Sequence, residues 1–301
     1  MTAYKLANAP CSWGVDFADR PENPSWSRVL DEAAAAGFKA IDLGPVGYFP
    51  TDPAHLKDEL ARRGLVLSAG GLFDPLWDPA AFEAIIDKTR RTCAVLKELE
   101  SPRLVIIDCV SDARTRTAGR SVEAPRLAPA DWKGMMGRIT ELAKIAEGDY
   151  GVRSTLHAHA GCYIEYEDEV HAAMNDLPED LVGLCVDTGH AAYAGIDPIA
   201  LIRRYRDRVR HMHLKNIDKA VHAACMADRE GFFESIARGI FCPLGKGLVD
   251  FTAVYDALSD IGYSGMAVVE QDVDPTGDAS PLANAKESFD YLASIGMAGR
   301  A

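Results

Sequence analysis

Short apolar runs alternate with longer amphipathic stretches along the whole chain, and the alternation repeats eight times. The apolar runs are residues 4–11 (YKLANAPC), 38–43 (FKAIDL), 65–70 (LVLSAG), 103–110 (RLVIIDCV), 153–159 (RSTLHAH), 182–187 (VGLCVD), 209–215 (VRHMHLK) and 266–271 (MAVVEQ). Helical periodicity covers 25–36, 52–63, 79–99, 130–147, 166–175, 198–206 and 250–261, and 283–294 closes the chain. Ser25, Asp52 and Asp78 stand where N-caps are expected, with Pro53 and Pro79 at the first helical position. Gly37, Gly64 and Gly262 follow helical runs, where a left-handed cap is expected. Eight strand–helix units in 301 residues predict a (β/α)₈ barrel. No GxGxxG follows the first strand, which argues against a doubly wound dinucleotide fold. No flexible linker divides the chain, so residues 1–301 read as one domain. The stretch at about 216–249 interrupts the compact pattern after strand 7. It contains one helix-like run, 220–238, and is expected to form a lid or substrate wall on the active-site face. The loop 111–129 carries four arginines and is expected to be solvated.

Four strand ends in the second half carry residues of the metal-ligand type. They are Leu156-His157-Ala158-His159, Val186-Asp187-Thr188-Gly189-His190, His211-Met212-His213-Leu214-Lys215 and Val268-Val269-Glu270-Gln271. Each taken singly has an ordinary reading. Asp187 could simply cap a helix and leave His190 on the surface, and a solvent-facing hairpin could alternate as 211–215 does. Strand period, however, puts His211, His213 and Lys215 on one face, and His157 with His159 on another. Imidazoles and carboxylates are costly to bury unpaired, so four such ends point to one shared site. A mixed set of this kind suits a divalent transition metal such as Mn²⁺, Co²⁺, Fe²⁺ or Zn²⁺. Glu165 either favours the following helix N-terminus or folds back to the site. Trp13, Asp42 and Phe73 lie at or past the first three strand ends and are the expected pocket wall. Asp272 shares the face of Glu270 and complicates that assignment. Cys109 has no base beside it and receives no nucleophilic role.

Composition narrows the partners. Net charge is −13 and no Lys/Arg run stands out, which argues against nucleic acid or an anionic membrane. No apolar run reaches spanning length, and the start lacks a signal-peptide core. Seven scattered cysteines without a CxxC suit reduced thiols in a cytoplasm. A homo-oligomer is compatible with this reading.

These segments together resemble the xylose-isomerase-like family of sugar isomerases, epimerases and dehydratases, nearest to its inosose dehydratase branch. The likeness is carried by LHAHAG, IEYEDEV, VDTGHAAYAG, HMHLKN and VVEQD, and by Pro10-Cys11-Ser12-Trp13 and Asp42-Leu43-Gly44 near the start. It implies one divalent metal, with Mn²⁺ or Co²⁺ favoured and Zn²⁺, Fe²⁺ or Mg²⁺ as alternatives. It implies ligands from strands 5 to 8. Asp187, His213 and Glu270 match three of them, and His157 stands where many relatives have Glu, with Glu165 as the substitute. The implied reaction is loss of water from a cyclic keto-polyol through an enediolate. His159, Glu165 and His190 are the acid–base candidates, and Lys215 is the group to hold a substrate oxygen. The alternatives are a sugar or sugar-phosphate isomerase or epimerase using the same enediolate, and a barrel that binds a polyol without turnover. A group titrating near the histidine range, shifted by the nearby metal, is expected in the pH profile of turnover.

Overall fold

The computed structural model describes residues 4–277 and 280–298. Eight parallel strands form the barrel: β1 Leu6–Asn8, β2 Ala40–Ile41, β3 in two pieces Val66–Leu67 and Gly70–Asp74, β4 Arg103–Asp108, β5 Arg153–His157, β6 Val182–Asp187, β7 Val209–Leu214 and β8 Ala267–Val269. Each pairs with its neighbours in parallel, and β1 pairs with both β2 and β8. The two ends of the sheet are the two pieces of β3, so the sheet closes on itself. The large helices Trp26–Ala35, Pro53–Ala61, Phe82–Glu98, Pro129–Tyr150, Glu167–Asp176, Pro198–Arg204, Phe251–Asp260 and Pro281–Ser294 follow the strands in turn. Asp52 and Asp78 cap as expected, each accepting from the backbone two residues on.

Strand alternation sorts the side chains into two cores. Leu6, Ile41, Leu67, Leu72, Ile106, Leu156, Leu184 and Met212 face the helices and belong to the large outer core. Each such side chain contributes about 1.5–3 kcal/mol by leaving water. The opposite positions are small. Ala7, Ala9, Ala40 and Val268 form one inner cluster, and Ala69, Val105 and Cys185 another. Small residues on β1–β3 leave space inside the barrel that larger ones would fill.

Several boundaries differ from the sequence reading. β1 stops at Asn8 because Pro10 opens a 3₁₀ turn, Pro10–Trp13, and proline has no N–H for a ladder. β3 runs on to Asp74, which puts Phe73 in a strand. The expected helix 220–238 is two helices, Lys219–Asp228 and Phe232–Ala237. Arg229 ends the first in a left-handed conformation, φ 59°. The loop after β4 is not simply solvated, because Arg114 is fully buried.

Asp108, at the end of β4, gives a pH test of the fold. Its Oδ2 accepts from Tyr163 N at 2.8 Å, while buried Oδ1 has no donor. Burial lifts this carboxyl to about 7, above the ~3.9 of an unfolded aspartate. The folded state therefore holds the proton more tightly. Stability from this group is complete below pH ~4 and is lost as pH rises through about 7. Urea unfolding of the wild type, compared with Asp108→Asn, should show that loss across the window. A constant difference between the two proteins would contradict it.

Candidate metal centre and active site

A cavity of about 300 Å³ opens at the C-terminal ends of the strands. That is the face on which barrel enzymes carry their chemistry, and the volume is at the low end for small-molecule sites. Its lining mixes two kinds of group. One is polar: His157, His159, His213, Lys215, Glu270 and Asp272. The other is apolar: Val15, Phe17, Phe73, Val105 and Ile107, with Phe232, Phe233 and Ile236 from the stretch after β7.

Beside this cavity His157, Asp187, His213 and Glu270 converge. One ligand-type atom of each lies within 4.8 Å of the others, and all four residues are buried. His157 Nε2 is 3.4 Å from Asp187 Oδ2, and His213 Nδ1 is 3.2 Å from Glu270 Oε2. Asp187 caps a helix and also points into the cluster. Its Oδ1 accepts from His190 N at 2.8 Å and caps the short helix Thr188–Tyr193. That bond orients Oδ2 into the cluster, where it makes no hydrogen bond. Both ring nitrogens of His213 and Nδ1 of His157 are likewise buried without a hydrogen bond. A divalent metal fits this set, because it would satisfy Asp187 Oδ2 and one ring nitrogen of His213, which otherwise carry a desolvation penalty. Burial opposes ionisation of Asp187, but Lys215 and the adjacent His190 and His157 overcome it and hold the carboxyl well below its usual range.

The groups for proton transfer lie beside the cluster. His159 Nδ1 pairs with Ala160 O at 2.9 Å, which assigns the proton to Nδ1 and leaves Nε2 as the acceptor. Burial, His157 and Lys215 push its imidazolium down to about 3, so the ring is neutral at neutral pH. His190 stacks on His159 with ring centroids 3.8 Å apart. It is buried, not on the surface, and burial holds it well below the usual histidine range. Lys215 Nζ lies 3.0 Å from His190 Nε2 and 2.9 Å from both oxygens of Asp272.

Of the expected wall, Phe73 and Asp42 line the cavity. Burial raises the Asp42 carboxyl to about 6 although His213 and Ser68 act to lower it. Trp13 does not line it. Its ring is in the outer core and its Nε1 donates to Glu32 Oε2 at 2.6 Å, because the 3₁₀ turn rotates it away from the lumen. Glu165 is not brought to the cavity either. Its Oε1 accepts from Gly119 N at 2.7 Å and its Oε2 from Gly161 N at 3.0 Å, with Arg114 at 3.4 Å. Its acceptors are engaged in joining loops. Asp272, Phe232 and Phe233 were not assigned from the sequence. The signal for Asp272 was its strand-period match to Glu270.

A closed barrel with two histidines and two carboxylates gathered at its strand ends defines a (β/α)₈ protein with a candidate metal site. The chain belongs to the xylose isomerase-like TIM barrel family, whose family model matches residues 30–295. It is similar to the rhizopine catabolism protein MocC of Rhizobium meliloti, 31% identical over 99% of this chain and 90% of that protein. It is equally similar to an inosose dehydratase of Halalkalibacterium halodurans, 31% identical over 94% of this chain and 92% of the relative. Among solved structures, the IOLI protein with a bound zinc atom superposes with a TM-score of 0.73 at 16% identity, over 97% of both chains. An L-ribulose 3-epimerase superposes with a TM-score of 0.70 at 18% identity, over 98% of this chain and 94% of that one. At these identities the structures show the shared fold.

Proposed function

We propose that the chain is a metal-dependent lyase that removes water from a cyclic keto-polyol of the inosose type. The observation that carries this reading is the buried His157–Asp187–His213–Glu270 cluster with the neutral acceptor of His159 beside it in one cavity. The curated relatives named inosose dehydratase support the substrate class. A divalent ion held by the four side chains, Mn²⁺ or Co²⁺ in first place, would supply a Lewis acid for the ketone and its neighbouring hydroxyl. The remaining chemistry belongs to this chain's own residues. His159 Nε2 takes the proton α to the carbonyl. Lys215, held by Asp272, faces the cavity and donates a proton to the departing β-hydroxyl, which leaves as water. One proton is taken, one is given, and the C–O bond breaks, so the net change is loss of water. Phe73 and Phe17 supply an apolar surface for the C–H face of the ring. The net charge of −13 favours a small neutral ligand over nucleic acid. Among the described residues no helix is long and apolar enough to cross a membrane. The seven free thiols suit a reducing cytoplasm.

The direct test incubates metal-loaded enzyme with 2-keto-myo-inositol and follows absorbance of the unsaturated or diketone product. His159→Ala should lower turnover by roughly 10²–10⁴-fold with metal content unchanged. Activity limited by this base should persist well below the ordinary histidine range at saturating metal. Clean epimerisation of a ketohexose without dehydration of the inosose would move the chain to the isomerase reading.

A further inference from the structure

We propose that this site is built for two cations, of which one is a divalent metal and the other is the ammonium of Lys215, standing in a second metal position made by His159, His190 and Asp272. The inference rests on the metal reading above and goes beyond it.

The second position is visible in the side chains. His159, His190 and Asp272 bring one ligand-type atom each within 4.8 Å of the others, next to the first cluster. Lys215 Nζ occupies the same neighbourhood. It bonds both oxygens of Asp272 at 2.9 Å and meets His190 Nε2 at 3.0 Å. It also reaches Glu270 Oε2 at 3.2 Å and Asp187 Oδ2 at 3.7 Å, both in the first cluster. One ammonium is thus shared between the two sets, as a bridging metal pair would share carboxylates.

The surrounding chain is shaped to hold that ammonium. Thr188 Oγ1 donates to Lys215 O at 2.7 Å and accepts from Lys215 N at 3.0 Å. Gly189 leaves room for the lysine stem: a Cβ there would lie 2.5 Å from Lys215 Cγ. The Phe241 ring covers the ammonium at 5.1 Å. Asp187, Thr188, Gly189 and His190 therefore each serve Lys215, and the motif reads as a cradle for it. Fixing the stem removes rotamer freedom that a free lysine would lose on binding substrate. Charge agrees. Three carboxylates face the ammonium, those of Asp187, Glu270 and Asp272. One divalent ion and one ammonium balance them, which a buried site requires. A lysine strongly paired in this way is not displaced by a second metal, so the chain takes one metal only.

The test is metal stoichiometry. Protein saturated with Co²⁺ and passed through a desalting column is measured by elemental analysis and by visible absorbance. The wild type should retain one equivalent, and Lys215→Arg one. Lys215→Ala should retain two, with a second Co²⁺ absorbance component. Lys215→Gln keeps most of the stem and guards against a folding failure; it should also retain two. Adding Asp272→Asn to Lys215→Ala should return the count to one. Two equivalents in the wild type, or one in both neutral variants, overturns the proposal. No metal in the wild type overturns the metal reading itself, so the two failures are distinguishable.

Discussion

Asp187→Ala is expected to leave the barrel folded and without tightly bound metal. Asp187 contributes one oxygen to a helix cap and the other to the cluster. The cap is worth about 1 kcal/mol, which a barrel of this size tolerates. The cluster loses a ligand and its two imidazoles lose their common partner. Lewis-acid stabilisation is worth several kcal/mol, so turnover should fall by ~10³-fold or more. Elemental analysis and circular dichroism on the same sample check both halves. His213→Ala and Glu270→Ala should behave alike. Retained metal with full activity in all three would refute the assignment of this cluster.

Arg114→Met should destabilise the protein by ~3–5 kcal/mol, the usual cost of stranding a buried charge. Arg114 is fully buried in the loop after β4. Its guanidinium donates to Glu169 at 2.6 and 3.0 Å and to Glu165 at 3.4 Å. It also stacks 4.9 Å from the Tyr166 ring centroid. Glu169 in turn accepts from the backbone N–H groups of Glu165 and Tyr166 and forms the capping box of helix Glu167–Asp176. Removing the arginine leaves buried Glu165 without its cation and Glu169 with only the partly exposed Arg126. Urea titration measures the loss; a change under about 1 kcal/mol would show that the network is solvated. Glu165→Gln should keep its full metal content. If it strips the metal, the ligand role passes from His157 to Glu165.

The contrast between Glu165 and His157 shows where the sequence stops. Residues with strand period could be placed on a face from the sequence alone. His157, His159, His213, Lys215 and Glu270 all lie where alternation puts them, because a β-strand has only two faces and a barrel assigns one to its lumen. The eightfold alternation likewise pointed to the fold class, since eight strand–helix units place a helix over every parallel strand and the absence of a GxGxxG after the first strand argued against an open dinucleotide sheet. Residues in loops and turns have no such period. Trp13 follows a proline turn that rotates it outward, and Glu165 is claimed by an arginine 51 residues earlier in the chain. Arg114 itself looked like part of a solvated loop, and only the meeting of three segments buries it. The His159 tautomer depends on Ala160 O, and the place of Lys215 depends on Gly189 and Asp272. Local periodicity reports which way a side chain points, whereas the partner it meets there is set by segments distant in sequence, and that the tertiary structure alone decides.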